Sequence, residues 1–60
     1  MKTTFSYYEI FTDDGKRVYQ YMINNVYADH EQLLSDKMDN VAWDKGLDRN
    51  SLYSEFIKTV

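Results

Sequence analysis

A turn signal between two strand-forming segments constrains the fold of this chain more than any other feature. Residues 3–12 and 17–23 are rich in aromatic and β-branched types, and the short segment 13–16 separates them. Asp14 and Gly15 both tolerate the positive φ that the central residues of a type I′ hairpin turn require. The sequence therefore predicts a β-hairpin with a two-residue turn at Asp14 and Gly15.

This turn fixes which residues of the two strands face each other. The expected pairs are Phe11 with Val18, Ile10 with Tyr19, Glu9 with Gln20, Tyr8 with Tyr21, and Tyr7 with Met22. Strand side chains alternate between two faces. One face then carries Phe5, Tyr7, Phe11, Val18 and Met22, interrupted by Glu9 and Gln20, and the other carries Tyr8, Ile10, Tyr19, Tyr21 and Ile23.

The chain is too small to cover both of these apolar faces by itself. A chain of 60 residues builds a thin core and usually needs a disulfide, a metal or a partner chain, but this one has no Cys and a single His. One helix can cover only one face of a two-stranded ribbon. We therefore expect a homodimer whose interface is formed by Tyr8, Ile10, Tyr19, Tyr21 and Ile23.

The pattern changes to a helical period after residues 24–25. Asp29 is a suitable N-cap, with Gln32 at the capping-box position, and Gly46 is a natural stop. The predicted helix begins near Asp29 and ends between Asn40 and Lys45. Its apolar stripe consists of His30, Leu34, Met38 and Val41, and its opposite stripe of Asp29, Gln32, Asp36 and Asp39. Glu31 lies at the border. Either the helix ends near Asn40, or it continues and Trp43 is an exposed anchor among the acids.

Residues 51–60 fit both a strand and a helix, because Tyr53, Ile57 and Thr59 have strand spacing while Leu52, Phe56 and Val60 have helical spacing. We favour the strand. The predicted fold is a single α+β domain, residues 1–60, in which an antiparallel β-hairpin or three-stranded sheet packs on one amphipathic helix and which forms a dimer. No apolar run is long enough to span a membrane, so we expect no membrane partner and a cytoplasmic location.

The negative charge is concentrated in the second half of the chain. Residues 29–48 contain six acids and two lysines, a net charge of −4, while the remaining residues sum to +1. Such a surface repels nucleic acid, whose binding depends on Lys and Arg, and it suits a basic protein partner. Direct nucleic-acid binding is not expected.

The residue types needed for catalysis do not form a recognisable set. Ser35, His30 and Asp36 lack any local signature of a nucleophile with its base. Asp29, His30 and Glu31 diverge by about 100° each on a helix and cannot close on one metal ion. We therefore expect no enzyme activity, no metal and no cofactor.

One spacing resembles a known family. Its residues are Asp13, Asp14, Gly15 and Lys16, then Tyr19 and Tyr21, then Asp29, Glu31 and Leu33. Over residues 13–34, without a gap, the chain is similar to the small uracil-DNA glycosylase inhibitors encoded by some tailed phages. The resemblance implies a dimer of hairpin-plus-helix subunits that imitates DNA in the enzyme's binding cleft, with acidic groups in place of phosphates and a pocket that traps an apolar side chain of the enzyme.

The resemblance also implies which residues contact the partner. Glu31 coincides with a family carboxylate that contacts the enzyme, and Gln20 replaces a second carboxylate. His30 and Leu34 stand where the family has aromatic residues. Apart from the resemblance, the spacing of carboxylates along the acidic side of the helix leads us to expect that Asp29 and Asp36 support Glu31. The expected partner is uracil-DNA glycosylase. The alternative is an unrelated small phage or bacterial adaptor or anti-host protein that binds another basic-cleft enzyme, such as a nuclease.

Overall fold

The computed structural model describes residues 3–60 as a three-stranded antiparallel sheet and one helix. The elements are β1 (Phe5–Thr12), β2 (Arg17–Asn24), α1 (His30–Lys45), a 3-10 turn (Arg49–Ser51) and β3 (Leu52–Thr59). The strand order is β2-β1-β3, so β1 is the central strand. The predicted α+β class is confirmed, and residues 52–59 form the strand that the sequence favoured.

The β1–β2 loop differs from the expected two-residue turn. Thr12 N–H donates to the Lys16 carbonyl at 2.9 Å, and Gly15 N–H donates to the Thr12 carbonyl at 2.9 Å. Gly15 has a φ of 85°, whereas no non-glycine residue of the described chain has a positive φ. A type I′ turn needs positive φ at both central residues, so that prediction is wrong. The loop is the longer kind, with Asp13, Asp14 and a left-handed Gly15.

The longer loop changes the register next to it and nowhere else on the hairpin. The pairs Ile10–Tyr19, Glu9–Gln20, Tyr8–Tyr21 and Tyr7–Met22 are confirmed. Phe11 pairs with Arg17 instead of Val18, because a bulge follows and leaves Val18 as the extra residue of β2. Val18 consequently packs against the core beneath the helix and does not join the face of Phe11.

Helix α1 begins and ends where its caps predict. Asp29 is the N-cap, and its carboxylate accepts from Gln32 N–H at 3.0 Å. Gly46 ends the helix in the left-handed region, with its N–H directed at the carbonyls of Ala42 and Trp43. The helix therefore continues past Trp43, whose side chain is 87% exposed. Both expected boundaries are confirmed, and of the two alternatives for Trp43 the exposed one holds.

The core lies between the sheet and α1. Its buried cluster consists of Ile10, Val41, Ala42 and Leu52, with Val18, Met38 and Leu47 packed against it. Ile23 and Leu34 are buried as well. The helical stripe predicted from the sequence is thus the side of α1 that faces the sheet.

This arrangement corrects the predicted dimer interface. Tyr8, Ile10, Tyr19, Tyr21 and Ile23 lie on the face of the sheet that α1 covers, and Ile10 and Ile23 are only 0% and 2% exposed. The opposite face carries the ion pair of Glu9 and Arg17, whose charges would lose hydration beneath the apolar side of α1. The helix therefore takes the uncharged face. Ile10 and Ile23 are not accessible to a second copy.

No helix within residues 3–60 has the length and apolar character needed to cross a membrane.

Candidate protein-interaction surfaces

The outward side of α1 is acidic. We call Asp36, Asp39, Trp43 and Asp44 the acidic helix surface; all four side chains are exposed. Their positions follow from the period of the helix, because Leu34 and Val41 turn the opposite side toward the sheet. Amphipathicity thus separates the carboxylates from the core, with Asp36 between Asp39 and Asp44, which lie about 140° apart around the helix axis.

The cations near this surface neutralise it only in part. Arg49 pairs with Asp39, with 2.6 Å between Nε and Oδ1. Lys37, on the same helix, turns toward the sheet, where its Nζ lies 4.9 Å from the ring centroid of Tyr21 and 5.6 Å from that of Tyr19. Because Lys37 is held over these rings, its charge points away from Asp36.

The acids at the start of α1 have local roles in the helix. Asp29 uses its carboxylate as the N-cap. Glu31 is exposed in the first turn, where a negative charge interacts favourably with the helix dipole. Five residues separate Glu31 from Asp36, which places the two about 140° apart around the axis. Glu31 therefore lies to one side of the acidic helix surface.

His30 lies in an aromatic cluster at the edge between helix and sheet. Its Nδ1 is 2.9 Å from the Tyr8 hydroxyl, and the two rings meet edge to face with centroids 5.9 Å apart. Phe56 packs edge to face on Tyr8 at 5.6 Å. Leu34 is only 7% exposed, so it belongs to the core and does not line an open pocket for a partner's side chain.

Gln20 lies on the other face of the sheet, where it pairs with Glu9 across β1 and β2. The six residues predicted to bind a partner therefore do not form one surface. Asp29, Glu31 and Asp36 lie along the helix, His30 is at the helix–sheet edge, Leu34 is in the core, and Gln20 faces away from the helix.

The uncovered face of the sheet is a second candidate surface. We call it the open sheet face, and it includes Phe5, Tyr7, Glu9, Phe11, Gln20, Met22, Tyr53, Glu55 and Lys58. Phe11 and Tyr53 stack with centroids 5.5 Å apart. Glu9 accepts from Arg17 at 2.9 Å and from the Tyr7 hydroxyl at 3.0 Å. Partial desolvation, together with the hydrogen bond to Glu9, raises the pKa of Tyr7.

Trp43, an exposed anchor in one of the two alternatives for the helix, borders a groove of about 480 Å³ lined by Asp39, Ala42, Trp43, Gly46, Leu47 and Arg49. The helical period alone indicated that Trp43 points outward. It could not indicate the groove, because Leu47 and Arg49 reach this place only after the chain reverses at Gly46.

Within residues 3–60, no group of three or more His, Asp or Glu side chains is arranged to hold a metal ion.

Comparison with known proteins returned no match among family models, curated proteins or solved structures.

Proposed function

We propose that this chain is a DNA-mimic inhibitor that binds the DNA-binding cleft of a host enzyme, uracil-DNA glycosylase first among the candidates, and thereby blocks uracil excision. The observation that carries the proposal is the acidic helix surface, on which Asp36 and Asp44 stay exposed while Lys37 is held over the sheet. In this proposal the chain has no chemistry of its own and acts in the host cytoplasm, where the enzyme repairs DNA.

Helical geometry makes the mimicry feasible. Asp36 and Asp44 are eight residues apart, which corresponds to about 12 Å along the axis. Phosphates of one DNA strand follow each other at about 3.4 Å along the duplex axis, so these carboxylates span the length of several phosphates. Ion pairs desolvated in a tight cleft can couple by several kcal/mol, whereas exposed pairs contribute less than about 1 kcal/mol.

The sequence resemblance supports the choice of enzyme. The spacing from Asp13 through Tyr21 to Glu31 resembles that of the glycosylase inhibitors, and Glu31 is exposed, which a contact with the enzyme requires. Gln20 lies on the open sheet face and Leu34 is buried in the core, so neither belongs to the acidic helix surface. For this reason we assign the main binding role to the carboxylates of α1.

We propose further that a second copy of the chain covers the open sheet face. Met22 is 49% exposed there beside the stacked rings of Phe11 and Tyr53. Glu9 is paired with Arg17 there, and Glu55 lies beside Glu9 on β3, so a second copy must leave this charged part of the face hydrated while it covers the apolar residues. A chain without disulfides and with so thin a core gains most from burying this apolar area.

Binding to purified uracil-DNA glycosylase, measured by calorimetry, tests the function. We expect Asp36→Asn and Glu31→Gln each to weaken binding several-fold, with the melting temperature unchanged in Asp36→Asn and slightly lowered in Glu31→Gln, which loses its interaction with the helix dipole. The control is Asp13→Asn, which removes the same charge from an exposed position in the β1–β2 loop. Association should slow as salt rises, and double-stranded DNA should compete with the chain for the enzyme.

The alternative function is an adaptor or anti-host protein directed at another basic-cleft enzyme, such as a nuclease. If the glycosylase neither binds nor is inhibited while a purified nuclease binds and Asp36→Asn weakens that binding, this alternative replaces the glycosylase as the target.

A further inference from the structure

Trp43 occupies a position that the fold itself does not need. Its side chain is 87% exposed on the outward side of α1 and contributes little to the core. A helix position that faces solvent is normally filled by a polar residue. Asp36 and Asn40, seven and three residues before Trp43 on the same side of the helix, follow this rule. Large exposed aromatic residues next to a recess are typical of the anchors that dominate protein interfaces.

The recess beside Trp43 is built from tightly held backbone. Leu47 N–H donates to the Ala42 carbonyl at 2.9 Å, which folds the chain back across the end of the helix. Asp48 then caps the following 3-10 turn, accepting from Asn50 N–H at 3.0 Å. These hydrogen bonds fix the groove before any partner arrives, which lowers the entropic cost of binding there.

The walls of the groove combine apolar and charged groups. Ala42 and Leu47 supply apolar surface, and Arg49 forms another wall with its guanidinium engaged by Asp39 at 2.6 Å and directed at the Ser35 hydroxyl at 3.4 Å. Arg49 therefore compensates Asp39, and its contacts with Asp39 and Ser35 do not extend to Asp36 or Asp44. A partner thus meets an aromatic ring, a short apolar floor and the Asp39–Arg49 ion pair, while Asp36 and Asp44 lie outside the groove on the acidic helix surface.

We propose that Trp43 and this groove bind an arginine-bearing segment of the partner protein. The planar guanidinium stacks on the indole and is attracted by the negative face of the ring, and tryptophan gives the strongest such attraction. The methylene stem covers Ala42 and Leu47, and the charge faces the acidic helix surface. This inference rests on the proposed function for the basic character of the partner and adds the side chain that the surface selects.

Trp43 is the single tryptophan of the chain, so its fluorescence reports directly on this site. The probe is a short peptide amide of alternating arginine and leucine, and the matched peptides carry lysine or glutamate in place of every arginine. We expect the arginine peptide to change the Trp43 emission in a saturable way, the lysine peptide to bind several-fold more weakly, and the glutamate peptide to have no effect.

Calorimetry with the same peptide tests the role of the indole. Trp43→Leu should weaken binding roughly tenfold, the size expected for losing a partly desolvated cation–π contact. Tyr27→Leu is the control, because Tyr27 is an exposed aromatic residue on the β2–α1 loop. That variant should bind the peptide as the wild type does.

Three results would overturn the inference: no emission change with the arginine peptide at about 1 mM, equal affinity for the arginine and lysine peptides, or a Trp43→Leu variant that binds as well as the wild type. A Trp43 emission that changes on dilution of the protein alone would assign the groove to a second copy instead. Peptide binding at Trp43 without inhibition of the glycosylase would refute the proposed enzyme and leave this inference standing. Inhibition of the glycosylase without peptide binding would refute this inference and leave the proposed enzyme standing.

Discussion

The aspartates at the start of α1 and within it have different roles in this molecule. The carboxylate of Asp29 is bound to the backbone of α1, that of Asp39 is bound to Arg49, and that of Asp36 accepts from the side chain of Gln32 and stays exposed. A charge count over residues 29–48 treats all of these as equivalent. Only those that remain exposed and without a cation can be offered to a partner at full strength.

Asp29 allows its capping role and its charge to be separated. We expect Asp29→Ala to lower the free energy of unfolding by about 1 kcal/mol, because Gln32 N–H loses its acceptor. Asp29→Asn keeps an acceptor oxygen and should leave stability close to that of the wild type. Urea denaturation measures both.

Equal stability of the two variants would contradict the capping role. A loss of glycosylase binding in Asp29→Asn, at unchanged stability, would show that the charge of Asp29 also contacts the partner.

At the scale of elements, the sequence features that correctly predicted the helix ends and the strands act over only a few residues. Asp29 and Gly46 mark the helix ends because a cap satisfies backbone groups within one turn, and alternation identified the strands. The type of the β1–β2 loop could not be read in this way, because Asp14 and Gly15 suit both a two-residue turn and a longer loop whose last residue is a left-handed glycine. The bulge at Val18 then restored the predicted register.

The β1–β2 loop makes a prediction about pH. The carboxylate of Asp14 accepts hydrogen bonds from the Thr12 hydroxyl and from the backbone N–H of Lys16. These bonds, that of Thr12 most of all, lower the pKa of the Asp14 carboxyl below its ordinary value of 3.8. A pKa lowered by folding means that the contribution to stability is complete above the unfolded value and is lost as the pH falls through the folded value. We expect acidification below about pH 4 to destabilise the wild type more steeply than Asp14→Asn.

Thermal unfolding across the acidic range provides the measurement, with Asp13→Asn as the matched control in the same loop. The same pH dependence in Asp14→Asn and the wild type would show that these hydrogen bonds do not stabilise the hairpin.

At the scale of the whole molecule, the sequence left undecided which face of the hairpin the helix covers. Both faces carry large apolar residues, and the choice depends on packing between distant segments, including a third strand that ends at Thr59. The charges of Glu9 and Arg17 mark the open sheet face in hindsight. For the same reason the groove beside Trp43 was not foreseeable, since residues after Gly46 form part of its lining.

The predicted homodimer can be tested through the open sheet face. We expect Met22→Asp to shift the chain from dimer to monomer in analytical ultracentrifugation at micromolar concentration, because a carboxylate would be buried among apolar side chains. Val26→Asp introduces the same group at an exposed position of the β2–α1 loop and should leave the dimer intact.

A stable, folded wild-type monomer at that concentration would contradict the dimer. Dissociation by both variants alike would assign the contact to general charge repulsion instead of the open sheet face.

The most direct test of the proposed function is a uracil-excision assay with purified uracil-DNA glycosylase and increasing amounts of the chain. If the acidic helix surface occupies the place of DNA phosphates, the wild type and Asp13→Asn inhibit equally at a micromolar excess. Combining Asp36→Asn with Asp44→Asn then weakens inhibition by tenfold or more, about 1.4 kcal/mol, without loss of fold. Full excision activity at a micromolar excess of the wild type would contradict the proposed function. Equal inhibition by the double variant and the wild type would contradict the role of the acidic helix surface.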